Sequence, residues 1–218
     1  MNLKEITWLR KCVYVWRNIR NKHSYNSGKN NRIINNGGIR VGSRIQFSGN
    51  DNRLIFEKGA MLRNTLVRIQ GDNNLVLLKS NADVSGAELW IENNRCELSI
   101  GENTFVGHHS HLACTEDGSK LIIGNDGMLS SYVQVRTGDS HSILDMEGNR
   151  INKAQSVIIG NHCWIGEGAK VLKGVTLESD VIVSTGAIVT KSFGKNVLIG
   201  GIPAKKLKEN VTWDSKRL

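Results

Sequence analysis

Residues 159–189 read IGNHCWIGEGAKVLKGVTLESDVIVSTGAIV. An aliphatic residue recurs at every sixth position: Ile159, Ile165, Val171, Leu177, Val183 and Val189. Four residues beyond each of the first five stands a small or β-branched residue: Cys163, Ala169, Val175, Val181 and Ala187. A helix repeats every 3.6 residues and a strand every two, so neither alone yields a period of six. Very short strands joined by tight turns do. The aliphatic residue then points inward, and the small one sits where the chain turns a corner.

The same pattern runs upstream in looser form. Ile100, Val106 and Leu112 are six apart, as are Ile123, Leu129 and Val135. A longer period overlies it, with polar Asn/Asp/Gly turns before the apolar pairs Leu54/Phe56, Leu75/Leu77, Leu98/Ile100 and Leu121/Ile123. A coil of three short strands cannot bury its apolar side alone, but stacked coils can. Glycine accepts the positive φ of tight corners, and proline would remove ladder donors. The 23 glycines against one proline fit a chain that is mostly stacked strand.

The 218 residues suffice for one full-size domain. No uncharged apolar run approaches the roughly 18–20 residues that span a bilayer. The N-terminus lacks the apolar core and small-residue cleavage site of a secretory signal. Cys12, Cys96, Cys114 and Cys163 are far apart, with no CxxC pair, which points away from a thiolate metal site or a disulfide framework and toward the cytoplasm. The net charge of +9 raises the question of nucleic acid. Its distribution argues against that reading: residues 1–32 carry +7, residues 191–218 carry +5, and the middle is −3.

The run from Ile159 to Val175 and the terminal Ile199-Gly-Gly-Ile-Pro-Ala-Lys205 resemble the hexapeptide-repeat acyltransferases. Within that family, Asp139-Ser-His-Ser-Ile143 followed by Asp145 resembles the bacterial capsule O-acetyltransferases most. The resemblance implies an all-β fold, a left-handed parallel β-helix, and assembly as a homotrimer with active sites between subunits. It implies acetyl transfer from acetyl-CoA to a hydroxyl of a bacterial surface polysaccharide, a capsule or an O-antigen. Two alternatives stay open. One is N-acetylation of an amino-sugar nucleotide, and the other is a non-catalytic trimer of the same fold.

The sixfold pattern breaks between Val135 and Val157, in a polar insertion over 136–156, and such breaks in a regular scaffold are where function sits. The insertion contains His141. Acetyl transfer to a hydroxyl requires a base near neutral pKa, and imidazole supplies one. In the family a histidine at this place takes the acceptor proton. Asp139 and Asp145 are candidates to orient it, and a backbone carbonyl would serve equally. Backbone N–H groups or a side chain such as Ser130 are candidate donors to the tetrahedral intermediate. Trp164 corresponds to a tryptophan that lines the acyl-donor channel, and an indole also suits a subunit interface.

The resemblance also places Gly166, Glu167, Gly168, Thr185, Gly186, Thr190, Lys191, Lys205 and Lys208 at CoA-contacting positions. There the lysines suit phosphates as point charges. Ser110 and His111 fall near the acceptor-side position. His108, His109 and His111 invite a metal reading, but three histidines in one loop do not reproduce a site built from different coils, and no metal is expected.

At the N-terminus, Leu3, Ile6, Leu9, Val13 and Trp16 trace an amphipathic helix over 1–22 with a basic opposite side. Two roles are open to it: capping the exposed end of the β-helix, the favoured one, or peripheral contact with the inner face of a membrane. Residues 23–38, rich in Asn, Gly and Ser, read as a linker. The β-helix is expected over 39–192, and a basic tail over 193–218.

Overall fold

All six aliphatic residues of the 159–189 stretch are shut off from water, at 0–1% exposure, in the computed structural model, which describes residues 24–216. The chain coils as an all-β parallel solenoid with three faces. Face A has eight strands, from Ser24–Asn26 to Ile188–Val189. Face B has seven, from Arg32–Asn35 to Thr176–Leu177. Face C has nine, from Ile39–Val41 to a closing pair, Val197–Gly201 and Ala204–Glu209. Each strand pairs with the one directly above it in the next coil, about 4.8 Å away, and a single aliphatic column fills the centre.

The coils come in two sizes. Below the insertion, Trp164 pairs with Ile182 and Lys170 with Ile188, a step of 18 residues, and the strands are two residues long. Above it, Gln46 pairs with Arg68 and Glu88 with His111, steps of 22 and 23. The extra residues lengthen faces A and B, as in Arg44–Ser48 and Arg53–Phe56. The upper coils are therefore the broader ones.

Corner chemistry differs as well. Just before the face B strands of the broad coils one corner column reads Asn31, Asn52, Asn74, Cys96 and Ser119. In the broad coils this corner is a hydrogen-bonded ladder. The backbone N–H of Asn52 donates to Asn31 Oδ1 at 3.0 Å, that of Asn74 to Asn52 Oδ1 at 3.0 Å, and that of Cys96 to Asn74 Oδ1 at 2.8 Å. Asn52 and Asn74 are fully buried, yet satisfied. The narrow coils have no such rung: their chain turns into face B at the fully buried Val175, which stands two positions further on, in the core column below Leu121 and Val157.

Three expectations are corrected. First, residues 23–38 are not a linker. Ser24–Asn26 pairs with face A and Arg32–Asn35 with face B, so the solenoid begins well before residue 39. Their Asn/Gly composition is that of the ladder corners. Second, Leu75 and Leu77 point outward while Val76 and Leu78 are buried, so that strand is shifted by one residue from the expected register. Both parities are apolar there, and alternation could not decide between them. Third, residues 193–218 are not a tail. Val197–Gly201 and Ala204–Glu209 form an antiparallel pair that closes face C, and Trp213 folds back onto the solenoid. The helix expected over 1–22 lies outside the described residues. At that end of the core, Arg40 occupies the inward column above Leu62 and Val84, with its guanidinium donating to Ser43 O.

Candidate active site

The insertion leaves face A after Gln134–Arg136 and rejoins face B at Val157–Ile159, so it sits on the A/B corner. It is a structured hairpin. Leu144 and Arg150 form an antiparallel bridge, and Ile151 N–H donates to Ile143 O at 2.9 Å. Asp145 closes its tip by accepting the N–H groups of Glu147 and Asn149 at 2.9 and 2.8 Å. These N–H groups, Asn149 first, hold the Asp145 carboxyl below its ordinary pKa.

The hub of the insertion is Asn152, which is buried. Its Nδ2 donates to His141 O at 2.8 Å and to Asp139 Oδ2 at 2.9 Å. Its Oδ1 accepts Ile143 N–H at 2.7 Å. Lys173, from the next coil, pairs with Asp139 and donates to Asn152 O at 3.0 Å. Arg150 pairs with Glu116 from the preceding coil, and Ala154 N–H also donates to that carboxylate. The Lys173 hydrogen bond depresses the Asp139 pKa. Burial pushes Glu116 up, but the hydrogen bonds from Arg150 and Ala154 outweigh it and leave the carboxyl below its usual range.

His141 is thus displayed, exposed, on a backbone fixed from both neighbouring coils. Ser140 before it takes a left-handed conformation, φ 67°. Neither proposed orienter reaches the His141 ring: Asp139 is engaged by Lys173 and Asn152, and Asp145 by the hairpin tip. Asn152 and Lys173 were not singled out from the sequence, because no spacing marks partners that meet only across coils.

Trp164 lies on the outer side of face C, 36% exposed, in register with Met128 and Ile182. Its Nε1–H donates to Ser130 Oγ at 3.4 Å. Within one chain His141 and Trp164 are therefore on different sides of the prism, and no hydrogen bond or ring contact joins them among the described residues. Trp213 lies beside Trp164, with ring centroids 5.9 Å apart, and stacks on His162 at 4.7 Å. His162 Nδ1 is 2.8 Å from Asp180 Oδ1, which also accepts the Thr212 hydroxyl. This His–Asp pair anchors the C-terminal segment, and its hydrogen bond lowers the Asp180 pKa.

The expected CoA positions fall in two groups. Gly166, Glu167, Gly168, Thr185 and Gly186 form successive turns of the C/A corner, where Gly186 N–H donates to Glu167 O at 2.8 Å. A Cβ at Gly166 would lie 2.6 Å from Thr185 N, whereas Gly168 and Gly186 face open space with φ of 68° and 69°. Lys191 and Lys205 come together on one cleft of about 700 Å³ at the C-terminal end, joined there by Lys195 and Lys206. Thr190 directly precedes Lys191, and Lys208 lies on the return strand opposite Leu198, outside the cleft lining.

The acceptor-side pair separates. Ser110 is buried, donates to Ser130 O and accepts Val133 N–H, so it is a corner stitch with no exposed hydroxyl. His111 lies on face A beside Trp90, ring centroids 6.1 Å apart. Its Nε2 is buried without a hydrogen-bond partner, and burial holds its pKa below the ordinary imidazole value. His108 meets Ser85, and His109 stacks on Tyr132, so the three rings do not converge. Cys163 is fully buried, with its thiol pushed up to about 11 by burial.

Residues 156–191 match the family model described as bacterial transferase hexapeptide (six repeats). The chain is 32% identical over 198 residues to the polysialic acid O-acetyltransferase of Neisseria meningitidis, covering 89% of this chain and 91% of that protein. The crystal structure of the polysialic acid O-acetyltransferase OatWY superposes with a TM-score of 0.84 at 30% identity, over 89% of this chain and 92% of that one. The polySia specific acetyltransferase NeuO superposes at 0.82, again at 30% identity, over 88% and 82%. The chain belongs to the hexapeptide-repeat acyltransferase family, among the relatives of the polysialic acid O-acetyltransferases. It is an acetyltransferase.

Proposed function

We propose that the protein transfers acetyl from acetyl-CoA to a hydroxyl of a bacterial capsule polysaccharide, with His141 as general base, in a left-handed coil assembled as a homotrimer. The imidazole removes the acceptor hydroxyl proton, and the oxygen attacks the thioester carbonyl. The tetrahedral intermediate collapses, the C–S bond breaks, and the thiolate of CoA takes the proton from the imidazolium. No thiol of Cys96, Cys114 or Cys163 is exposed to carry the acetyl group, which favours direct transfer. The observation that carries the reading is the insertion itself: a histidine displayed on a backbone locked by Asn152, Asp139 and Lys173, in a family whose members are acetyltransferases.

Two features favour the trimer. Face B presents an outward column, Ile34, Ile55, Leu77, Ser99, Ile122 and Ile158, aliphatic at every level but Ser99. Face C presents Met61, Asp83, Phe105, Met128, Trp164 and Ile182, apolar except for Asp83, which is paired with Arg63. Packing face B of one copy on face C of the next around a threefold axis covers both. It also carries the A/B corner with His141 toward Trp164 of the neighbour, completing a site that one chain leaves divided.

The test is release of free thiol from acetyl-CoA across capsule and O-antigen fragments, with product analysis. Capsule fragments should be acetylated on oxygen. His141→Ala should lower turnover by about 10²–10⁴-fold. Wild-type turnover in that variant sinks the base assignment, and acetylation of nitrogen in an amino-sugar nucleotide sinks the acceptor class.

A further inference from the structure

Face A differs from its neighbours in what it turns outward. One column, read straight down the stacked coils, runs Tyr25, Gln46, Arg68, Trp90, Ala113, Arg136. Five coil steps separate its ends, about 24 Å. The Arg68 guanidinium lies over the Trp90 ring, 4.5 Å from its centroid, and its Nε–H donates to Gln46 Oε1 at 3.1 Å. Concavities flank this pair on the same face. One of about 370 Å³ is lined by Tyr25, Gln46, Ser48, Arg68 and Gln70. The other, about 160 Å³, is lined by His111, Ala113, Gln134 and Arg136. The next residue after Arg136 begins the insertion that carries His141.

Charge on this face runs against the rest of the solenoid. The chain between its two basic ends is net −3. Yet the face A strands from Arg44 onward turn out four cations, Arg44, Arg68, Arg136 and Lys170, against the two carboxylates of Glu88 and Glu92. An aromatic face receives the apolar side of a sugar ring. A guanidinium fixed over that face and held by a glutamine meets a carboxylate with little ordering cost. Glutamine amides serve hydroxyls. Aromatic, amide and guanidinium groups repeated at a fixed rise suit a ligand that is itself a repeat.

We infer that face A is a binding track for an acidic polysaccharide chain, running from Tyr25 through Arg68 and Trp90 to Arg136 and delivering a sugar residue to the insertion. The inference rests on the saccharide-acceptor reading above and deepens it. The track explains how a chain-modifying site would engage several residues of its substrate while only one is acetylated. It also gives a use to the breadth of the upper coils.

The test is calorimetric binding of polysialic acid and two other acidic capsule polysaccharides in graded lengths, alongside single-stranded DNA of matched charge. Wild type should bind at least one acidic glycan more tightly as its length grows. Arg68→Gln and Trp90→Ala should reduce affinity for long chains roughly tenfold, with much less effect on two- or three-residue fragments and with acetyl-CoA affinity retained. Trp90→Phe, which keeps an aromatic platform, should recover most of the loss and serves if the alanine variant is unstable. The track is overturned if the variants bind long chains as wild type does, if no acidic glycan binds, or if DNA binds equally and is lost in the same variants. Turnover separates this from the functional reading. Acetylation by wild type with unaltered length dependence in the variants removes the track alone. Length-dependent binding lost in the variants, with no acetylation by wild type, removes the activity alone.

Discussion

The coils above the insertion and those below it solve one corner in opposite ways. Asn52 and Asn74 fill it with amides that accept a backbone N–H from the coil beneath. Val175, the residue before the narrow coil's face B strand, closes the corner from the core column with hydrocarbon. The difference follows coil length. A 22-residue turn has a wide corner whose backbone groups do not all meet a strand partner, and a side-chain amide satisfies them. An 18-residue turn omits that position and turns directly at a buried core residue, Val175. Breadth is thus supported by polar ladders and narrowness by packing, and each half should reject the other's residue.

The largest effect is expected from Val175→Asn, which places an amide with no partner in a dry corner. It should cost about 3–4 kcal/mol in denaturant unfolding. A neutral result would mean the narrow corner is wetter than its burial indicates. The reverse exchange, Asn74→Val, strands the Cys96 N–H and should cost about 2 kcal/mol. If it is tolerated, the ladder is decoration. Next, Asn152→Ala unpins the backbone of His141 and should lower turnover about tenfold while barely moving the thermal midpoint. Equal loss of stability and activity would make Asn152 merely structural.

The smallest effect concerns pH. Asp139 and Glu116 have depressed pKa values in the folded chain. The stability they give is present above the ordinary carboxylate value of about 4 and is lost as pH falls below it. The hydrogen-exchange protection factors of the Ile143 and Ala154 amides, corrected for the intrinsic pH dependence of exchange, should therefore fall on acidification before those of the narrow coils. Simultaneous loss would contradict the local origin.

What the sequence disclosed follows the same division. The narrow coils were legible residue by residue, because an aliphatic and a small inward residue recur together once in every six and both series lie in the core. The broad coils were not, since Leu75 and Leu77 alternate in step with Val76 and Leu78, and burial alone separates the two sets. Asparagine and glycine at 23–38 carried the composition of a linker while doing the work of corners. At the site, the polar insertion and His141 stood out as a break in rhythm. The partners of that loop did not, since Lys173 and Glu116 meet it only when segments 21 to 38 residues apart in the chain are stacked. Ser110 illustrates the converse error, a hydroxyl near a family position whose bonds go entirely to its neighbours' backbone.

The asparagine ladder has one more consequence. Each rung needs only an amide oxygen from the coil before it and a backbone N–H from the coil after it, and each coil supplies both. Such a unit is self-propagating. Duplicating residues 53–74 would insert one further storey whose ceiling and floor already match, leaving the insertion below untouched. The protein is in this sense a building of interchangeable floors, and its height is open to change by a single in-frame duplication.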